Sequence, residues 1–248
     1  MDQTVAFLNQ TGKQSQFILI LTLEGRDKFC KAIQYASRII KFQQTGKNDK
    51  LAAKFQGLFE GMRDARKLFR LFKSIVEYQK ITQIQKQKLP QHKKALQILA
   101  RLGFLFYWVF DNLQILAKIK YLEGVDKEQA GKRAATFWLL GLLFTLALTL
   151  ISIYEAHQEE QALRAQSKSL SAEERAAGVL KDKFAALNRK KFENTLNILK
   201  TLGDMVTASQ AIGLPRKLFG FDFNDGQVGF GGFLSAVLTC YQLFPEKK

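Results

Sequence analysis

Cysteine, histidine and proline are scarce in this chain of 248 residues. Two lone cysteines, Cys30 and Cys240, cannot build a disulfide framework or a zinc site and read as buried free thiols. His92 and His157 have no metal-ligand spacing. No G-x-S-x-G element, GxxxxGK[ST] loop or Cys/His dyad is present, so no catalytic role, cofactor or metal is expected. The glycine cluster Gly229-Phe230-Gly231-Gly232 lacks a following Lys or a strand context and reads as a packing surface. Only Pro90, Pro215 and Pro245 interrupt the chain, which leaves room for long helices. Alternating patterns of strand type are also missing. The N-terminus, Met1-Asp2-Gln3-Thr4, does not read as a secretory signal, and Phe244-Pro245-Glu246-Lys247-Lys248 is neither a peroxisomal matrix tripeptide nor a retention signal. Synthesis in the cytosol is expected, with any membrane signal coded internally.

Positive charge and apolar runs are abundant. Lys and Arg number 38 against 22 Asp and Glu, a net charge of +16. Residues 1–101 carry 20 of these bases and only seven acids. A polyanionic neighbour follows, either nucleic acid or an anionic lipid surface. Hydrophobic residues make up 47% of the chain, enough for a folded core. Ala134 to Tyr154 runs for 21 residues without a charge. A bilayer core of about 30 Å needs about 20 helical residues, so this run can span. Its hydroxyls (Thr136, Thr145, Thr149 and Ser152) keep a buried core helix open as the alternative. Gly226 to Phe244 is a second uncharged run, of 19 residues. Its small residues Gly229, Gly231, Gly232, Ser235 and Ala236 suit close helix packing. A third run, 102–117, contains Asp111 and reads as an interfacial or partly buried helix with Asp111 and Asn112 on its wet side. With a 21-residue neutral run, no zinc spacing and no ribonucleoprotein motif, a nucleic-acid partner fits poorly.

The expected fold is all-α: a membrane-associated helical bundle with an N-terminal amphipathic region and two or three membrane-embedded helices. Residues 1–101 form a basic helical region facing the cytosol, by the bias of Lys and Arg. Residues 102–248 form the membrane-associated region, with candidate spans 134–154 and 226–244 and a polar linker over 155–193, whose expected flexible point is Ser167–Ser171. Helices are expected over 27–42 and from Leu51 to about Lys88, with a turn at 46–49 and a loop over 218–229.

Within the second of these helices, Arg66–Lys80 reads RKLFRLFKSIVEYQK. At 100° per residue, Leu68, Phe69, Leu71, Phe72, Ile75 and Val76 share one face. Arg66, Arg70, Lys73 and Lys80 share the opposite one with Glu77. Such a helix can lie in a membrane plane, its apolar face in the acyl boundary and its bases on lipid phosphates. Four bases less one acid are worth roughly 3 kcal/mol at an anionic surface, and apolar burial adds more. A wedge in one leaflet favours convex curvature.

Several motifs carry a resemblance. Gly25-Arg26-Asp27-Lys28 followed by Gln34-Tyr35-Ala36-Ser37-Arg38, then Arg66-Lys67-Leu68-Phe69-Arg70-Leu71, then Tyr107-Trp108-Val109-Phe110-Asp111-Asn112, and the glycine-rich end 228–235 followed by Tyr241-Gln242-Leu243 stand in order. The chain resembles the peroxisomal biogenesis factor 11 (peroxin-11) family. Phe72 stands where that family usually has Gly, which lengthens the apolar wedge. The strong 134–154 run leaves both two and three spans open. The resemblance implies an integral peroxisomal membrane protein, without catalytic activity, that elongates the organelle before division. It implies an anionic phospholipid membrane as partner, homo-oligomers, and recruitment of a dynamin-related GTPase and its adaptors. A pore for small metabolites is the alternative that it also implies.

Overall fold

The computed structural model describes residues 22–171 and 178–244. The start of the basic 1–101 region, residues 172–177 of the expected linker and the last four residues lie outside the described residues. Eight helices and no strands occur among the described residues. They are α1 (Leu23–Gln44), α2 (Asp49–Phe69), α3 (Lys73–Lys86), α4 (Gln91–Lys118), α5 (Lys127–Ser169), α6 (Lys181–Ala211), α7 (Leu214–Phe219) and α8 (Asp225–Leu243).

Local chemistry sets the boundaries. Thr22 caps α1 by accepting from the Gly25 N–H at 3.0 Å. Asn48 caps α2 through the Leu51 N–H. Asp126 opens α5 by accepting from the N–H groups of Glu128 and Gln129. Asn224 and Gln227 form a reciprocal capping box at the start of α8. Pro90 precedes α4, where its missing N–H costs nothing.

The helix expected from Leu51 to Lys88 is two helices. Arg70, Leu71 and Phe72 break it, and Phe72 takes a left-handed conformation with φ +61°. That backbone is free for glycine and costs an L-residue roughly 1–2 kcal/mol. The position where the resembling family has Gly is thus the corner between α2 and α3. The corner lets Arg66 and Arg70 reach α1 and α4 while Glu77, on the next helix, reaches Arg101 nearer the start of α4.

The segment expected as a polar linker is helical over most of its length. Helix α5 runs on to Ser169, and α6 begins at Lys181. Ala156, Leu163, Leu180 and Leu187 close a small apolar cluster between them. Glu159 and Glu160 pair with Lys190 at 3.0 Å and Lys191 at 2.7 Å. Two apolar faces met by two charged flanks make a helical hairpin, which a reading by charge alone misses.

Successive helices touch one another around a circuit. Helix α1 packs on α2, α3 on α4, α4 on α5, α5 on α6, α6 on α8, and α8 returns to α1. Glycines permit the tightest crossings. A Cβ on Gly103 of α4 would lie 2.7 Å from Gly141 Cα of α5, and one on Gly203 of α6 would lie 2.4 Å from the Gly231 carbonyl oxygen of α8. Among the described residues one helix, α5, is long and apolar enough to cross a membrane. Within it Thr136, Thr145 and Thr149 donate to the carbonyls four residues back, at 2.8–2.9 Å. The three threonine hydroxyls are therefore satisfied inside the helix itself, as an apolar surrounding requires, and Ser152 Oγ accepts from Asn194 Nδ2 of α6 at 3.0 Å.

Candidate membrane interface and its charged interior

Polarity is inverted around the α2–α3 corner. Phe72 is 69% exposed, and Leu68, Phe69, Ile75, Val76 and Tyr78 are exposed with it, while Leu71 is half-buried. The polar face points inward. Arg66 and Arg70 are 6% and 7% exposed, and Glu77 is 3% exposed. Lys73 is half-buried, and only Lys80 keeps a side chain substantially open to solvent. The two arginines expected at lipid phosphates are thus held inside the protein by carboxylates.

Those carboxylates come from α1 and α4. Arg66 Nε donates to Asp27 Oδ1 at 3.0 Å and to the Asp27 carbonyl at 3.1 Å. Its Nη1 donates to Gln34 Oε1 at 2.6 Å. Arg70 Nη2 and Lys67 Nζ both meet the Asp111 carboxylate, at 3.0 and 2.8 Å. Asp111, expected on a wet face, is 3% exposed and faces the interior. Glu77 accepts from Lys80 and Arg101. A charge taken from water costs several kcal/mol unless paired, which is why each arginine has a carboxylate.

The glycine-rich end of α8 enters the same interior. Ser235 and Ala236 have no solvent exposure. Ser235 Oγ accepts from Lys31 Nζ at 2.8 Å, and Lys31 also pairs with Asp204 of α6 at 2.6 Å. Burial draws the Lys31 ammonium down to about 8, although Asp204 opposes it. Burial alone would raise the Asp27 carboxyl; Arg66, Lys28 and Arg70 outweigh it and hold it well below the usual carboxylate range. A Cβ on Gly232 would strike the Tyr35 ring at 2.4 Å, one on Gly229 would meet Ile39 at 2.7 Å, and one on Gly231 would lie 2.8 Å from the Gly203 carbonyl oxygen. These positions bring α8 against α1 and α6.

The helices line a half-open cavity of about 480 Å³. Ten basic and four acidic side chains line it, together with Tyr107, Trp108 and Trp138. Trp108 carries Arg70 and Lys73 over its ring, each 5.0 Å from the centroid. No group of three or more potential metal ligands occurs among the described residues. Sequence reasoning did not find Lys31, Asp204, Trp108 or the crossing glycines Gly103, Gly141 and Gly203 as parts of one site. Asp27 and Asp111 were within reach, because each stands in a motif already singled out beside Arg or aromatic residues.

Comparison with known proteins agrees with the motifs. The family model for peroxisomal biogenesis factor 11 matches residues 15–244. A peroxisomal membrane protein 11 homolog of Dictyostelium discoideum is 26% identical, with 94% of each chain covered. Peroxisomal membrane protein 11E of Arabidopsis thaliana is 25% identical over 90% of this chain and 88% of its own. Peroxisomal membrane protein 11A of Bos taurus is 22% identical over 100% of this chain and 98% of its own. No solved structure matches. With its motifs in order and the family model matching nearly its whole length, the chain belongs to the peroxisomal biogenesis factor 11 family.

Proposed function

We propose that this chain is an integral protein of the peroxisomal membrane that elongates the organelle by pressing the apolar face of its α2–α3 corner into the cytosolic leaflet. The observation that carries the reading is the outward row Leu68, Phe69, Phe72, Ile75 and Val76, each more than 40% exposed. A contiguous apolar patch of this kind marks an interaction surface. Each half-exposed side chain gains roughly 1 kcal/mol on entering an acyl boundary. The helices lie between the bilayer and their own protein: apolar side to lipid, polar side on α1 and α4. Insertion is therefore driven by the apolar row, with Lys80 and other surface bases adding attraction to anionic phospholipid.

Names of related proteins place them at peroxisomal membranes, and α5 supplies an anchor. The basic N-terminal region faces the cytosol in this reading. Self-association and recruitment of a dynamin-related GTPase with its adaptors complete the proposal. A pore for small metabolites is the second reading, favoured by the charge-lined interior; currents through planar bilayers test it.

Reconstitution of the full chain into anionic liposomes tests the first reading. Wild type elongates the vesicles, and Phe72→Asp with Val76→Asp abolishes elongation while the protein stays embedded. Unchanged tubulation by that variant contradicts it.

A further inference from the structure

The corner's inward face has more positive charge than its carboxylates balance, and two of its donors have no acceptor. Arg70 Nε and Trp108 Nε1 are sealed from solvent without a hydrogen-bond partner. Their side chains are 7% and 8% exposed, and both line the cavity. Arg70 Nε stands 3.8 Å from Asp27 Oδ1, beyond hydrogen-bond reach. A buried donor left unmade is costly, and native proteins rarely leave two side by side. Lys73 adds a third donor over the same indole ring, and it makes no ion pair among the described residues. Ten bases line the cavity against four acids, and the excess is still four when Asp27 behind Arg66 and Asp64 beside Arg63 are counted.

We infer that this cavity is a binding site for a phosphate monoester, held by Arg70 Nε, Trp108 Nε1 and Lys73 Nζ. The ligand must accept several hydrogen bonds and carry more than one negative charge. A phosphate monoester does both, and a single carboxylate does not balance the excess. A guanidinium already anchored by Asp111 through Nη2 keeps its Nε donor unspent, and a small turn of the side chain opens that donor to a ligand oxygen in the cavity. The phosphate can be a lipid headgroup reached from the leaflet or a free solute. The site does not rest on the elongation reading, because the apolar row lies on the opposite face of the corner.

The chain carries its own reporters. Its only two tryptophans, Trp108 and Trp138, both line the cavity. The full chain in detergent is titrated with inorganic phosphate against chloride at constant ionic strength. It is then placed in nanodiscs of phosphatidylcholine with or without phosphatidic acid. A saturable change in tryptophan emission is expected in at least one arm. Phosphate alone identifies a solute site, phosphatidic acid alone a headgroup site, and both the shared chemistry. Lys73→Gln breaks no ion pair among the described residues and removes only the ammonium over the Trp108 ring, so it leaves the fold's ion pairs in place. It raises the half-saturation concentration about tenfold, the size expected for one charge-assisted contact. Arg70→Gln abolishes the change. Emission indifferent to both phosphate sources, or Lys73→Gln titrating like wild type, overturns the site. Loss of elongation in Phe72→Asp with Val76→Asp leaves the titration intact, so the two proposals fail separately.

Discussion

Asp27 is the residue on which the inward face depends most. It is 2% exposed and meets Arg66, Lys28 and, at longer range, Arg70. Asp27→Asn leaves Arg66 buried without a counter-charge, so a loss of about 3–5 kcal/mol is expected in thermal unfolding of the detergent-solubilised protein. The carboxyl is held below its unfolded value. Its contribution is therefore complete above about pH 4 and is lost as pH falls through the lowered folded value. Acid unfolding of wild type should begin below pH 4, and Asp27→Asn should flatten that limb. Phe72 carries the opposite balance, a strained backbone beneath an exposed ring. Phe72→Gly should raise stability by about 1 kcal/mol, a rise of about 2–4 °C in Tm. The same change should weaken liposome binding, because the ring contributes to the apolar row.

Among the elements, the α6–α8 crossing is set by backbone against backbone. Gly203→Val puts a side chain where the Gly231 carbonyl already stands and should cost more than about 2 kcal/mol. Gly57 lies in α2 with open space around its Cβ position, so Gly57→Ala should stabilise by up to about 1 kcal/mol. Limited proteolysis of the two variants separates them: the first is cut faster than wild type, the second more slowly. The same elements show what a sequence can and cannot display. Period 3.6 exposed the two faces of 66–80, because faces are a local property of the helix. Which face turns outward is not local. It was decided by Asp27 and Asp111, one on each side of the segment and about 40 residues away, and no pattern within 66–80 contains them. The corner at Phe72 was hidden for the same reason, since nothing about Phe forbids a continuous helix. The hairpin of α5 and α6 was missed because pairing of Glu159 and Glu160 with Lys190 and Lys191 looks, in one dimension, like a solvated charge run.

At the scale of the molecule, the helices form a circuit that buries paired carboxylates and bases beside its aliphatic and aromatic core and leaves many large apolar side chains outside. Leu140, Leu143 and Leu150 on α5, Phe192 and Leu199 on α6, and Phe230 and Val237 on α8 extend the exposed apolar surface well beyond the corner. The basic excess of residues 1–101, read from sequence as a surface for anions, is in part an interior charge. The central claim is that the outward row at the α2–α3 corner deforms the bilayer. Peroxisome length in cells that lack the endogenous protein measures it most directly. Expression of the wild-type chain should produce elongated peroxisomes. Phe72→Asp with Val76→Asp should localise equally well and leave the organelles short and round. Peroxisomes as long with the double variant as with wild type would contradict the claim.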